Sequence, residues 1–267
     1  MWSQNRLSMA ASIQEDIVMN GFLAIALAVT GIGFGYCLVA FFKRMPAAWL
    51  LDYDETEITR ELLAKKALSV WPDLVLICLA EAILLPLLFY VSDHYLYAAV
   101  AALACQPLIL IVVADQKTRI IPDQFLLALL PFGLAFYLID TFNGTYGWLQ
   151  GLLLRFGAAI AGSFFLWLSG FLAGKIMKKD AMGMGDIKLL FVSGLLVGLY
   201  NVPLLLVLSF ITAAFVAVPM LIRMRHDPDS DSEMAFGPYI ALATLLVMGF
   251  QHQLYDIWYL YLDLIAR

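Results

Sequence analysis

Two polar islands interrupt an otherwise apolar chain, Asp115-Gln-Lys-Thr-Arg-Ile-Ile-Pro-Asp123 and Gly183-Met-Gly-Asp186-Ile-Lys188. Each sets an aspartate at the end of a hydrophobic run, where a carboxylate is costly unless it is paired, hydrated or used. Two carboxylates held together can hydrolyse an amide: the ionised one takes a proton from water while the protonated one polarises the scissile carbonyl. Such a dyad titrates as a unit, so neither aspartate is assigned a fixed role as acid or base. Lys117 and Lys188, each two residues past an aspartate, either modulate that equilibrium or mark the membrane interface with a snorkelling side chain. Gly183 and Gly185 permit positive φ and close approach of backbone or substrate. Pro122 lets the backbone turn before a helix starting at Asp123. The competing reading treats Asp115, Asp123 and Asp186 as helix-end carboxylates in wet loops, since helix N-termini favour acids.

The elements that must position these groups are membrane helices. Apolar residues make up 63% of 267 and charged residues 14%, against roughly 45–50% and about 25% in soluble domains. This composition predicts an all-α polytopic membrane protein. A crossing helix needs about 20 mostly apolar residues, and eight candidates follow: 19–42, 72–92, 95–114, 123–141, 149–174, 187–201, 202–222 and 236–262. The first is read as a retained helix, because no convincing small-residue cleavage site follows it. Residues 1–71 are expected to form the first helix and a small cytoplasmic loop element, and residues 72–267 the polytopic domain.

Lys and Arg concentrate in alternate loops, around Lys43–Lys66, Lys117–Arg119, Lys175–Lys188 and Arg223–Arg225. The positive-inside rule then puts those loops in the cytoplasm and both termini outside, with Asp115 and Asp186 at the cytoplasmic margin. In the first loop, 54–67 reads as a short amphipathic helix with Thr56 as N-cap. It is either a surface-lying element or a docking site, with Asp52, Asp54, Glu55, Glu57 and Glu61 available to a basic peptide. A second acidic group, Asp227, Asp229, Asp231 and Glu233, is either a solvated turn or a gate before Gly237 and Pro238, which reset the backbone where the last helix begins.

A net charge of −5 without a basic tract speaks against nucleic-acid binding and points to membrane partners. Cys37, Cys78 and Cys105 lie singly in apolar runs, so neither a zinc site nor a disulfide framework is expected, and all three read as buried free thiols. His94, His226 and His252 have no ligand-like neighbours, and no metal is expected. Glu81, midway along the second span, is either functional or a protonated group bonded to a neighbouring helix. No feature of the sequence specifies an oligomeric state.

Asp115-x-Lys-x-x-x-Ile-Pro-Asp123, then Lys179-Asp-Ala-Met-Gly-Met-Gly-Asp186-x-Lys188-Leu-Leu, then Phe236-Gly-Pro-Tyr-Ile-Ala resemble, in order and spacing, the three signatures of type IV prepilin peptidases, over about Leu96 to Met248. The resemblance implies an intramembrane aspartic endopeptidase with Asp115 and Asp186 as catalytic pair. Lys117, Pro122, Asp123, Gly183, Gly185, Lys188, Gly237 and Pro238 would then support the site or bind substrate. It further implies removal, at the cytoplasmic face of the inner membrane, of the short basic leader of a type IV prepilin or type II secretion pseudopilin, with no cofactor for the cleavage. Members of the family commonly also methylate the new N-terminus with S-adenosylmethionine and carry Cys-x-x-Cys zinc pairs in the first loop. This chain lacks those pairs, has Val39 where the family pattern has asparagine and Val75 where it has glutamate, so the cofactor is expected only if methyl transfer is retained. A preflagellin-type or other Gly-x-Gly-Asp protease is the neighbouring alternative. A proton- or cation-coupled transporter is the non-enzymatic one, set apart by acids near the bilayer midplane, as Glu81 alone is.

Overall fold

The computed structural model describes residues 2–51, 57–92, 94–177, 182–226 and 235–266. Asp52, Asp54, Glu55 and Thr56 of the first loop, Lys179 and Asp180 of the second motif, and the acidic group Asp227–Glu233 lie outside the described residues. The described chain is helical, and it divides into two compact units, residues 1–44 with 68–92 and residues 45–67 with 93–267.

The first unit is a helix pair, α1 (Trp2–Arg44) and α3 (Val75–Val91). Small residues one turn apart let the two backbones approach, as membrane helices do where no hydrophobic force separates helix from lipid. A Cβ on Gly35 would stand 2.7 Å from the Cys78 Cα, and one on Gly31 would run into the Glu81 backbone. The Cys78 thiol donates to the Ile32 carbonyl at 3.6 Å. Glu81 is fully buried on α3.

The second unit holds α2 (Arg60–Lys66), α4 (Tyr95–Thr118), α5 (Asp123–Phe142), α6 (Trp148–Met177), α7 (Met184–Val197), α8 (Val202–His226) and α9 (Gly237–Ala266). The first-loop element belongs to this unit. A 3-10 turn at Ala47–Leu50 brings Trp49 edge-on to Phe125 of α5, with ring centroids 6.2 Å apart. Leu50 and Leu62 are buried, and the Lys66 ammonium donates to the Met45 carbonyl. The helix expected over 54–67 starts at Arg60, and its cap is Thr59, whose hydroxyl accepts the Leu62 N–H at 3.2 Å. Capping there satisfies an otherwise orphaned donor while Leu62 turns inward.

Six helices among the described residues are long and apolar enough to cross a membrane: Gly21–Arg44, Val70–Val91, Tyr95–Thr118, Asp123–Phe142, Trp148–Ile176 and Leu199–Met220. One of the eight expected spans is too short to cross. α7 has only 14 residues, about 21 Å of helix, short of a bilayer core of about 30 Å. α9 runs from Gly237 to Ala266 with a bend at Phe250 (φ −132°, ψ 21°), and among the described residues Gly237–Gln251 is an apolar helix. The cysteines are free but not alike: Cys105 is buried, Cys78 half-buried and Cys37 exposed. With this helix content and span number the chain is an all-α polytopic membrane protein.

α7 is the most enclosed of the short helices. Gly194 lets it cross α6 closely, since a Cβ there would lie 2.7 Å from the backbone of Ala158. The buried hydroxyls of Ser193 and Thr244, hydrogen-bonded at 2.8 Å, tie it to α9.

Candidate active site

Asp115 sits in the last turn of α4 and Asp186 in the first turn of α7. The expected span 95–114 thus stops a turn too early, because α4 continues through Thr118. It ends where Arg119 adopts the left-handed conformation (φ 59°, ψ 27°), its N–H donating to the Asp115 carbonyl at 2.8 Å. Glycine usually occupies that position, and a side chain there costs about 1–2 kcal/mol. Pro122 then caps α5 with φ −64°, its carbonyl accepting the Phe125 N–H.

On the other side, Gly183 is the N-cap of α7 and Asp186 its third helical residue. The Gly183 N–H acts as a donor to the Asp186 carboxyl. This is the back-reaching half of a capping box, with aspartate in place of the usual glutamate. Positive φ, expected of the two glycines, is not used: Gly183 is extended at φ −73°, ψ 143°, and positive φ among glycines falls at Gly144 and Gly198. What Gly185 provides is closeness. A Cβ there would lie 3.3 Å from that of Ile121.

Gly237, at the start of α9, completes the group. A Cβ on it would stand 2.5 Å from Asp115 Oδ2 and 2.7 Å from Ile121 Cδ1. The Gly237 N–H faces the Asp115 carboxyl as a donor. Pro238 follows inside the first turn of α9, where its missing N–H leaves no helical bond unmade. The three segments thus converge on Ile121, and the Asp115 carboxyl is near enough for its charge to act on Asp186. Both carboxyls are nearly enclosed, Asp115 at 4% and Asp186 at 9% exposure. Asp115 Oδ2 is buried with no hydrogen-bond partner among the described residues.

Lys188 does not serve the pair. Two residues along a helix is a rotation of about 200°, which turns Lys188 away from Asp186. Its ammonium instead holds both oxygens of Asp123, at 2.9 and 3.0 Å, joining the starts of α7 and α5. The same rotation separates Lys117, half-exposed in the last turn of α4, from Asp115. Both partners of the Asp123–Lys188 pair are more than a third exposed, so it contributes no more than about 1 kcal/mol. Lys188→Met is accordingly expected to lower the unfolding midpoint in detergent by only about 2–4 °C, and by less still in high salt. A drop several times larger would mean that the pair is held more tightly than its exposure implies.

Ile121 is the residue whose part motif reading did not single out. Its signal was its place beside Pro122, a bulky side chain locked between a helix end and a helix start. Among the described residues no cluster of three or more His, Cys, Asp or Glu could hold a metal ion.

Comparison with known proteins points to one family. Residues 102–218 match the model of the type IV leader peptidase family. The chain is similar to the prepilin leader peptidase/N-methyltransferase of Escherichia coli strain K12, 29% identical over 52% of this chain and 57% of that protein. It is similar also to those of Pseudomonas putida, 32% identical over 59% of this chain and 53% of the relative, and Aeromonas hydrophila, 34% over 48% and 41%. The chain therefore spans about half the length of the curated relatives it matches. No solved structure matches it. The matched stretch contains Asp115, Ile121 and Asp186.

Proposed function

We propose that this chain is a membrane-embedded aspartic endopeptidase that removes the basic leader of a prepilin or pseudopilin, with Asp115 and Asp186 as its catalytic pair. The observation that carries the reading is the convergence of two enclosed carboxyls, one from a helix end and one from a helix start, around Ile121, with the Gly237 amide facing Asp115. One carboxylate takes a proton from the attacking water and the other, protonated, polarises the scissile carbonyl; the proton taken up then passes to the departing amine. Gly183 and Gly237 supply backbone donors that orient the carboxyls, and Ile121 excludes bulk water between them. Asp123 and Lys188 hold the starts of α5 and α7 together beside the pair. Basic residues at the ends of α1, α4 and α6, namely Lys43, Arg44, Lys117 and Lys175, support a cytoplasmic site, with both termini on the far side of the inner membrane.

The relatives' names include N-methyltransferase, a chemistry that uses S-adenosylmethionine. Here the two positions where the family pattern places polar groups are aliphatic: Val39 is buried and Val75 exposed. Neither position supplies a polar group to the amino, carboxylate or sulfonium groups of that cofactor, so the proposed reaction is cleavage, with the cofactor used only where methyl transfer is retained.

The test is a purified, reconstituted sample mixed with a full-length prepilin and followed by intact-mass spectrometry. The expected result is a mature pilin shortened by its leader, and a methyl increment in the presence of S-adenosylmethionine would show that methyl transfer is retained. An intact prepilin after prolonged incubation would overturn the assignment.

A further inference from the structure

At the other end of α7 from Asp186 lies a buried arginine that the proposed chemistry does not use. Arg155 projects from α6, and its guanidinium spans three acceptors: the carbonyls of Leu195 at 2.6 Å and Leu196 at 2.9 Å, and the Asp140 carboxylate of α5 at 2.6 Å. The guanidinium also lies over the Phe136 ring, 5.9 Å from its centroid.

The last carbonyls of a helix have no partner within it, and inside a membrane each must find one elsewhere. For α7 every one is accounted for. Gly194 accepts from the Gly198 N–H at 2.9 Å, Leu195 and Leu196 from Arg155, and Val197 from the Asn201 amide at 2.8 Å. Asn201 in turn donates to Gln251 of α9 at 2.7 Å. A cation at this end also opposes the helix dipole favourably. The planar guanidinium fork reads two successive carbonyls and one carboxylate at once, which an ammonium cannot do.

α7 is short and stiff, so whatever fixes one end fixes the other. Its first turn holds Gly185 and follows a glycine N-cap, which has no side chain to make a capping bond; its far end is bonded to α5, α6 and α9. We infer that Arg155, with Asp140, is a positioning residue for the peptidase: it sets the axial height and rotation of α7 and thereby where the Asp186 carboxyl stands. This rests on the reading of Asp186 as one of the catalytic pair.

The test uses Arg155→Gln/Asp140→Asn, which removes both charges together and leaves none stranded. Turnover on a prepilin is expected to fall about tenfold with KM held within about twofold, since misplacing a reacting group affects the chemical step and not substrate capture. Arg155→Lys, which keeps the charge but not the fork, is expected to recover part of that loss. In parallel, spin labels at positions 116 and 184, both exposed, report the spacing of α4 and α7 in a background without the native cysteines. The distance distribution is expected to broaden in the double variant. If that variant does not fold, Asn201→Ala removes one carbonyl donor only, with the same broadening and a loss of about twofold to fivefold in turnover. A folded variant with parental turnover, or with an unchanged distance distribution, overturns the inference. The distance readout needs no turnover, so cleavage by Asp186→Asn would remove the catalytic reading independently.

Discussion

Asp115→Asn and Asp186→Asn are each expected to abolish leader removal, a loss of at least about 10²–10⁴-fold, while the protein stays inserted and folded. Each substitution removes an ionisable group and keeps its shape. An amide neither accepts a proton from water nor donates an acidic one to the carbonyl, so the remaining carboxyl has no complementary partner. The double substitution is expected to add little to either single one, because groups that act as a unit are not additive. Stability is expected to move the other way. Enclosed carboxyls without full hydrogen bonding are a cost to the fold, and Asp115 Oδ2 is in that condition. The unfolding midpoint of Asp115→Asn should therefore equal or exceed the parent's. Processing at more than a few per cent of the parental rate in either variant would end the two-carboxylate mechanism; a large fall in midpoint would show the aspartate to be structural.

Gly237→Ala tests the geometry instead of the chemistry. Its methyl group would lie 2.5 Å from Asp115 Oδ2 and 2.7 Å from Ile121 Cδ1, distances at which something must move. Both atoms end side chains, so the clash is relieved by swinging the Asp115 carboxyl out of its place. The expected result is a fall of about 10- to 100-fold in turnover, with a destabilisation of about 1–3 kcal/mol from overpacking. Gly185→Ala is the internal comparison. Its Cβ would sit 3.3 Å from Ile121 Cβ, a contact that a small shift relieves, and a clearly milder loss is expected. Equal effects at the two positions would mean that helix propensity or backbone freedom, and not crowding of Asp115, governs both.

What could be read from the sequence followed physical cost. Charges are so scarce in this chain that Asp115 and Asp186 stand out at once, and the length of apolar runs defines most of the helices. Face and partner were less accessible. Lys188 is two residues from Asp186 in sequence and 65 from Asp123, yet helix rotation gives it to the second. Thr56 and Thr59 are equal as caps by residue type; the choice of Thr59 accompanies the burial of Leu62. The grouping of residues 45–67 with α4 and α5, through pairs such as Trp49 and Phe125, is a long-range contact that no local pattern announces. Arg155 and Asp140 were visible as isolated charges on the side with few of them. Their joint hold on the end of α7 required knowing which carbonyls that short helix leaves open.

Surface connections usually tolerate insertions and deletions. The link between α4 and α5 lacks that freedom. Arg119 closes one helix, Pro122 opens the next, and between them Ile121 must reach the glycine before Asp186 and the glycine beside Asp115 together. One residue more or fewer would carry that side chain out of both contacts while leaving every charged group in the chain untouched. The length of this link is thus as specific a property of the site as the identity of its carboxylates, and it is the kind of property that substitution data alone never sample.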